Sequence, residues 1–445
     1  MKKRVPIFRI LVLWAAILFL PSAARASCTL SGITNAGDAQ TALIPFGKIN
    51  LTDTYLQPVG TLLASIVVPP TNYTTNSATA SSVLWTCDAT DLPNIYFLVA
   101  TNGDDRVGGY YDLGATDGIT GAYATWFGYT GLKLTMSGVT LTRYWQKVPV
   151  TTYATSGSKI QIRLQDVPPL LAELYRVSTL PGTSAGSSYC GNNNTNGNGI
   201  GLASTTGRNY TCTQPNAYIQ LSGSSSVSFS FGHDAIGADS NTSYNFWGAN
   251  NGFGYGMRTA NTLYQTATCV ARNATPVVMF PTASAPQLMA GGSVNASFSV
   301  QVECSNTAVS GTSTNQTAIG FQVSSGAFSA AQTLGLVNAS GGVTMLVSDN
   351  YGTTNMAAGV GITLQNSLGT SMIFVGQPGT VSLTTAGGNA AGWYPVLDGA
   401  SPTGSVTSGY TQYQQLYTAT LKRIAGQTVT PGKVYATAYV LVKMQ

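Results

Sequence analysis

Apolar and polar residues alternate with a period of two through most of the chain, in short runs cut off by turn formers. Before about residue 263 these runs include "SIVVPP", "NIYFLVATN", "GLKLTMSGVTLTRYW", "SKIQIRLQDV" and "AYIQLSGSSSVSFSFG". After it come "TCVARN", "ASFSVQVECSN", "AIGFQVSSG", "GGVTMLVSDN", "GVGITLQNS", "SMIFVGQPG" and "LYTATLKRI". Stretches such as "TNGDDRVGG", "GATDGITG" and "CGNNNTNGNGIG" separate them. Period-two runs between Gly- and Asn-rich turns predict strands, and many short strands predict a sandwich or barrel. The only stretch with a helical look is "PPLLAELYRV", where Pro168 and Pro169 suit a helix start.

The last run, "GKVYATAYVLVKMQ", carries the same pattern to Gln445. Val434, Ala436, Ala438, Val440, Val442 and Met444 fall on one face, and Lys433, Tyr435, Thr437, Tyr439, Leu441 and Lys443 on the other. The pattern predicts one half-buried strand with no turn or return strand after it. Such an edge needs a neighbour or protection.

The N-terminus reads as a processing signal over residues 1–26. "MKKRVPIFR" is basic, "ILVLWAAILFL" is apolar, and "PSAARA" ends in small residues suited to cleavage after Ala26. The apolar run is too short for a committed membrane span, and none downstream is longer. A soluble, exported chain is therefore expected. Arg25 stands where lipid attachment at Cys28 would want an aliphatic residue. Twenty basic residues face fifteen acidic ones, but Lys2, Lys3, Arg4, Arg9 and Arg25 leave with the signal. The remainder is about neutral, which leaves no electrostatic footprint for nucleic acid.

About 420 residues exceed one ordinary domain and fit two, with a boundary expected near 262–266. Charge is only 8%, yet aliphatic and aromatic residues are ample for a core. Six cysteines remain: Cys28, Cys87, Cys190, Cys212, Cys269 and Cys304. In an exported chain an even count reads as disulfides, and spacing favours sequential pairs. With one histidine and no CxxC pair, no metal or other cofactor is expected.

Taken together, the chain resembles a bacterial chaperone–usher fimbrial tip adhesin. Cys269 and Cys304 open the second block about 35 residues apart, as the pilin-domain disulfide does. Gly432 precedes the alternating terminal strand at the family's glycine position. A signal peptide, an extra domain and a pilin-like domain follow in the family's order. Met444 departs from the tyrosine usual at that place but keeps the apolar face. The resemblance implies two β-sandwich domains in an all-β fold, a receptor-binding domain over 27–263 and a pilin domain over 264–445. It further implies that the second is an incomplete immunoglobulin-like sandwich. A periplasmic chaperone, then an adjacent subunit's donor strand, would fill a groove bordered by Gly432, Val434, Val440, Val442 and Met444. An outer-membrane usher is the third assembly partner implied. Cys28 follows the cleavage site at once, leaving no extension to donate, so the subunit is expected at the tip of a surface fimbrium.

Candidate chemistry favours binding over catalysis. "GTSAG" around Ser184 matches a nucleophile elbow but lacks its strand–turn–helix setting, and His233 is the only histidine. Asp104, Asp105, Asp112 and Asp117 could serve a glycan hydrolase, but "NGDDRVGG" reads first as a hairpin turn. A carbohydrate site wants aromatic faces and short polar side chains on ordered loops. "GGYYDLGATDGITGAYATWFGY" supplies Tyr111, Asp112 and Trp126, and "SYNFWGANNGFGYGMR" supplies Trp247, Asn250 and Asn251. Binding of a host glycan or glycoprotein is expected there. The alternatives are a non-adhesive minor subunit or assembly initiator, and a secreted glycan hydrolase. "NNNTNGNGIG", between Cys190 and Cys212, is a specificity loop or a decorated hairpin.

Overall fold

The computed structural model describes residues 27–186, 190, 200–377 and 388–445. Residues 1–26, expected to be a signal segment, and most of the "NNNTNGNGIG" loop lie outside them. The architecture is all-β, with sheets stacked in sandwich-like layers and a few short helices. Among the described residues no helix is long and apolar enough to cross a membrane.

Two large hydrophobic cores divide the chain. The first runs from Cys28 to Leu263 and is built on Trp85, Phe97, Phe253 and Tyr255. The second runs from Cys269 to Val429, around Val300, Val302, Phe321 and Tyr417. In the first, Ile95–Thr101 lies between Gln146–Pro149 and Ala217–Gly223, and Phe253–Gly256 and Thr41–Leu43 extend the sheet. Every residue of Ile95–Thr101 is buried, as a central strand covered on both faces must be.

The helix expected over "PPLLAELYRV" is instead a strand, Leu170–Arg176. Leu170, Ala172 and Leu174 point inward and alternate with Leu171 and Glu173. The strand pairs with Leu62–Val68 on one side and Thr130–Met136 on the other. A period of two with neighbours on both edges outweighs the helix propensity of Leu, Ala and Glu.

The sequential disulfides Cys28–Cys87, Cys190–Cys212 and Cys269–Cys304 are formed. The first and third each join residues directly opposite in an antiparallel ladder. In the chain-entropy picture each contributes roughly 3–4 kcal/mol by restricting the unfolded chain.

The cores meet at a polar seam. Glu303, only 2% exposed, accepts a hydrogen bond from the Tyr55 hydroxyl at 2.8 Å and pairs with Arg272 Nε at 2.7 Å. Arg272 also donates to the carbonyls of Tyr55 and Leu56, and Tyr55 packs on Tyr410 at 4.6 Å between ring centroids.

Candidate functional site

The second core is open along one side. Ser293–Ser305 and Tyr410–Arg423 form a thirteen-pair ladder, and Cys269–Ala274 is the outermost strand of that sheet. On Ser293–Ser305 the inward residues Val300, Val302 and Cys304 are buried, but Val294, Ala296 and Phe298 are only part-buried. Opposite lies Ala438–Met444, paired antiparallel with Thr317–Val323 from Thr317↔Met444 to Val323↔Ala438. Among the described residues its other edge has no ladder partner. Val440 and Val442 are part-buried against the core and Met444 is buried. Two free strand edges thus flank an apolar floor that is half covered. That is the geometry of a slot for one more extended strand.

The terminal strand is shorter than its pattern suggests. Only Ala438–Met444 joins the ladder. Residues 433–437 are held by the 348–357 loop. Lys433 donates its N–H to Asn355 O, Ala357 N–H donates to Lys433 O, and the Asp349 carboxylate accepts from the Thr437 N–H and hydroxyl. Val434 and Ala436 stay part-buried on the core. A Cβ at Gly432 would collide with the Met356–Ala357 backbone, so close approach of two chain segments explains that glycine.

The first half carries an aromatic surface. Trp145 and Tyr144 are adjacent in extended chain and point to opposite faces. Trp145 is buried on Phe246, with its indole N–H donating to Ser243 O at 2.9 Å. Tyr144 is 48% exposed. The Arg143 guanidinium lies 4.5 Å from the Tyr110 ring centroid and 5.5 Å from that of Tyr144, and it pairs with Asp239 at 2.9 Å. Burial works to lower the Arg143 pKa, but the Tyr144 hydroxyl and the Asp239 charge outweigh it and hold the pKa above the ordinary value. Gly103 lets the 102–109 loop dock here, since a Cβ would stand 2.6 Å from Asn241 N. The turn Asn245–Gly248 is fixed by Asp234, whose carboxylate accepts from the backbone and side-chain amides of Asn245. Tyr244 and Trp247 of this segment are 52% and 47% exposed.

The sugar-site candidates sort by burial. Trp247 and Asn250 are exposed, and Tyr111 is part-buried beside Tyr110 with its hydroxyl against Ser184. Trp126 is core instead: 6% exposed, packed on Tyr210, its indole N–H donating to Cys190 O. Asn251 is fully buried, accepting from Trp85 Nε1 at 2.9 Å and donating to Leu221 O and Gly232 O. Asp112 caps a short helical turn, accepting from the Ala115 and Gly121 N–H groups. These three hold the loops and are spoken for. Reading the sequence missed Tyr144, Arg143 and Asp239. The adjacent Tyr144–Trp145 pair was the available signal, because neighbours in extended chain face opposite ways and one of two large aromatics can be left at the surface.

The catalytic alternatives find no assembled centre among the described residues. His233 Nδ1 bonds Ser222 Oγ at 2.9 Å, and Ser184 meets Tyr111. Asp117 accepts from the Ser178 N–H and hydroxyl, and Asp105 from the Val107 N–H. No group of three or more His, Cys, Asp or Glu residues could hold a metal there.

Residues 258–445 match the family model described as "Fimbrial protein". The match covers less than half of the chain, the part that carries the second core and its open strand edge. No curated protein sequence matches the chain. Among solved structures, the P pilus rod subunit PapA is 18% identical and covers 40% of this chain and 93% of its own, with a TM-score of 0.22. The CupB6 tip adhesin from Pseudomonas aeruginosa is 12% identical, covering 94% and 95%, with a TM-score of 0.22. CfaE, the adhesive subunit of CFA/I fimbria of enterotoxigenic Escherichia coli, is 9% identical, covering 89% and 97%, with a TM-score of 0.17. At such scores the superpositions carry no weight, and the family match does.

Proposed function

We propose that this protein is a two-part fimbrial tip adhesin, with residues 264–445 anchoring it to the fibre and residues 27–263 binding a host glycan or glycoprotein. The observation that carries the anchoring is the unpaired edge of Ala438–Met444 above part-buried Val294, Phe298, Val440 and Val442. A periplasmic chaperone lends a strand to this slot, the usher receives the complex, and an adjacent subunit's strand then replaces the loan. Backbone hydrogen bonds to the free edge and burial of alternate apolar side chains, at about 25 cal/mol per Å², supply the affinity. Deleting Ala438–Gln445 is expected to abolish incorporation into fimbriae, scored by immunogold labelling of the cell surface. Continued display of the truncated chain contradicts the anchoring.

Exposure of Tyr144 beside the Arg143–Asp239 pair, and of Tyr244 and Trp247 on the turn near residue 246, supports the binding half. Aromatic faces cover the apolar side of a sugar ring, and the charged pair and Asn250 bond its hydroxyls. Weak single sites would gain avidity from many fimbriae per cell. On a glycan array, the full chain with Trp247→Ala is expected to lose on the order of tenfold in signal, the worth of a good stacking contact. A minor subunit that binds nothing would give a blank array with both chains.

A further inference from the structure

A second cleft, of about 310 Å³, opens in the first half where residues 39–43, 72–75 and 258–259 meet. None of its lining residues belongs to the aromatic surface or to the open strand edge. Four features set it apart. Arg258 sits in left-handed backbone at φ +43°, a conformation that costs a non-glycine residue about 1–3 kcal/mol and clusters at binding sites. Among the described residues no carboxylate pairs with its guanidinium, which donates to the Ala39 carbonyl. The Thr41 hydroxyl, on a residue nine-tenths buried, has no hydrogen-bond partner. Finally, the Arg258 side chain and the Thr41 hydroxyl converge at Gly256, each 3.2 Å from where a Cβ there would stand.

The rest of the lining is short and polar. The Thr75 hydroxyl donates to Gln40 Oε1 at 3.0 Å. Asn72 Nδ2 donates to Leu43 O at 2.9 Å and leaves its own oxygen as an acceptor. Leu43, 37% exposed, is the large apolar surface at the rim. A lining with one unpaired guanidinium, several hydroxyls and amides, no carboxylate and one apolar face is complementary to an anionic polyol.

We propose that this cleft binds a carboxylated sugar unit of the uronic acid type. The carboxylate takes the Arg258 guanidinium in a forked, charge-assisted pair, which draws the arginine off Ala39 and uncovers the Thr41 hydroxyl for a ring oxygen. Gln40, Asn72 and Thr75 bond the ring hydroxyls, and Leu43 covers the apolar side. This rests on the reading of the first half as glycan-binding and adds a sugar class and a second location.

Saturation-transfer NMR on the full mature chain tests it, with D-glucuronate, D-glucose and acetate as probes. Glucuronate is expected to bind in the millimolar range, with glucose and acetate at least about tenfold weaker because each supplies half of the recognition. Arg258→Gly, which the left-handed backbone favours, should keep the fold and weaken glucuronate by on the order of tenfold. Trp247→Ala should leave glucuronate binding unchanged even if it abolishes array binding, which separates this site from the aromatic surface. Three results overturn the proposal: Arg258→Gly binding glucuronate like the parent chain, acetate binding as tightly as glucuronate, or Trp247→Ala removing glucuronate binding.

Discussion

At the scale of single residues, buried polar groups bonded to other parts of the protein help hold the first half together. Asn251 ties Trp85, Leu221 and Gly232 together with no exposure to water. Asn251→Leu strands the Trp85 indole N–H and two carbonyls, and is expected to cost about 2–4 kcal/mol in chemical denaturation. Three buried tyrosines add a pH signature. Burial pushes the Tyr210 pKa up to about 12, and burial raises Tyr255 and Tyr417 as well. A phenol whose pKa is higher folded than unfolded stabilises the protein fully below the unfolded value, about 10, and loses that contribution as pH rises through the folded value. Stability is therefore expected to hold up to about pH 10 and fall from there towards pH 12. Tyr210→Phe should lessen that fall, read as the denaturation midpoint against pH. The sequence showed these aromatics but not which way they face. Trp126 and Trp247 look alike in "ATWFGY" and "NFWGAN". Only tertiary packing, with Gly201 passing over the Trp126 ring, sends one inward and leaves the other out.

At the scale of elements, period two was the most legible feature. It gave the all-β class and the strand nature of the terminal run, because one-sided burial repeats every second residue whatever the topology. The helix reading failed at "PPLLAELYRV", where Pro168, Pro169 and the helix-favouring Leu, Ala and Glu hid a period of two, and one of the strands that enforces it lies about a hundred residues away in sequence. The period-two reading also ran too far at residues 433–437, where Asp349 and Asn355 compete for the backbone groups that a ladder would use. No local pattern reports a competitor from a distant loop. The inward and outward faces of Ala438–Met444 make separate predictions. Val442 is part-buried against the core and Tyr439 is 54% exposed. Val442→Lys is expected to cut co-purification with the chaperone by more than about tenfold, since it places a charge on the apolar floor. Tyr439→Lys, on the same strand but facing out, should leave it within about twofold.

At the scale of the whole molecule, the two cores are joined by chemistry and not only by chain. Glu303 sits in the second core's long ladder and grips Tyr55 of the first half through its hydroxyl, while Arg272 holds the Tyr55 and Leu56 carbonyls. Glu303→Ala leaves Arg272 and Tyr55 without their shared partner, and is expected to cost about 2–4 kcal/mol and make the two halves melt separately in calorimetry. The seam was invisible in the sequence, because Tyr55 and Glu303 are 248 residues apart and neither lies in a motif.

The open edge of Ala438–Met444 is the feature on which the functional account turns. Its most direct test is expression of the full chain in a bacterial periplasm with and without the fimbrial chaperone of the same gene cluster, followed by size-exclusion chromatography with light scattering. The slot predicts soluble recovery only as a one-to-one complex with the chaperone, and aggregation or degradation without it. Recovery of a stable, folded monomer without the chaperone contradicts it, because a complete second sandwich would then need no borrowed strand.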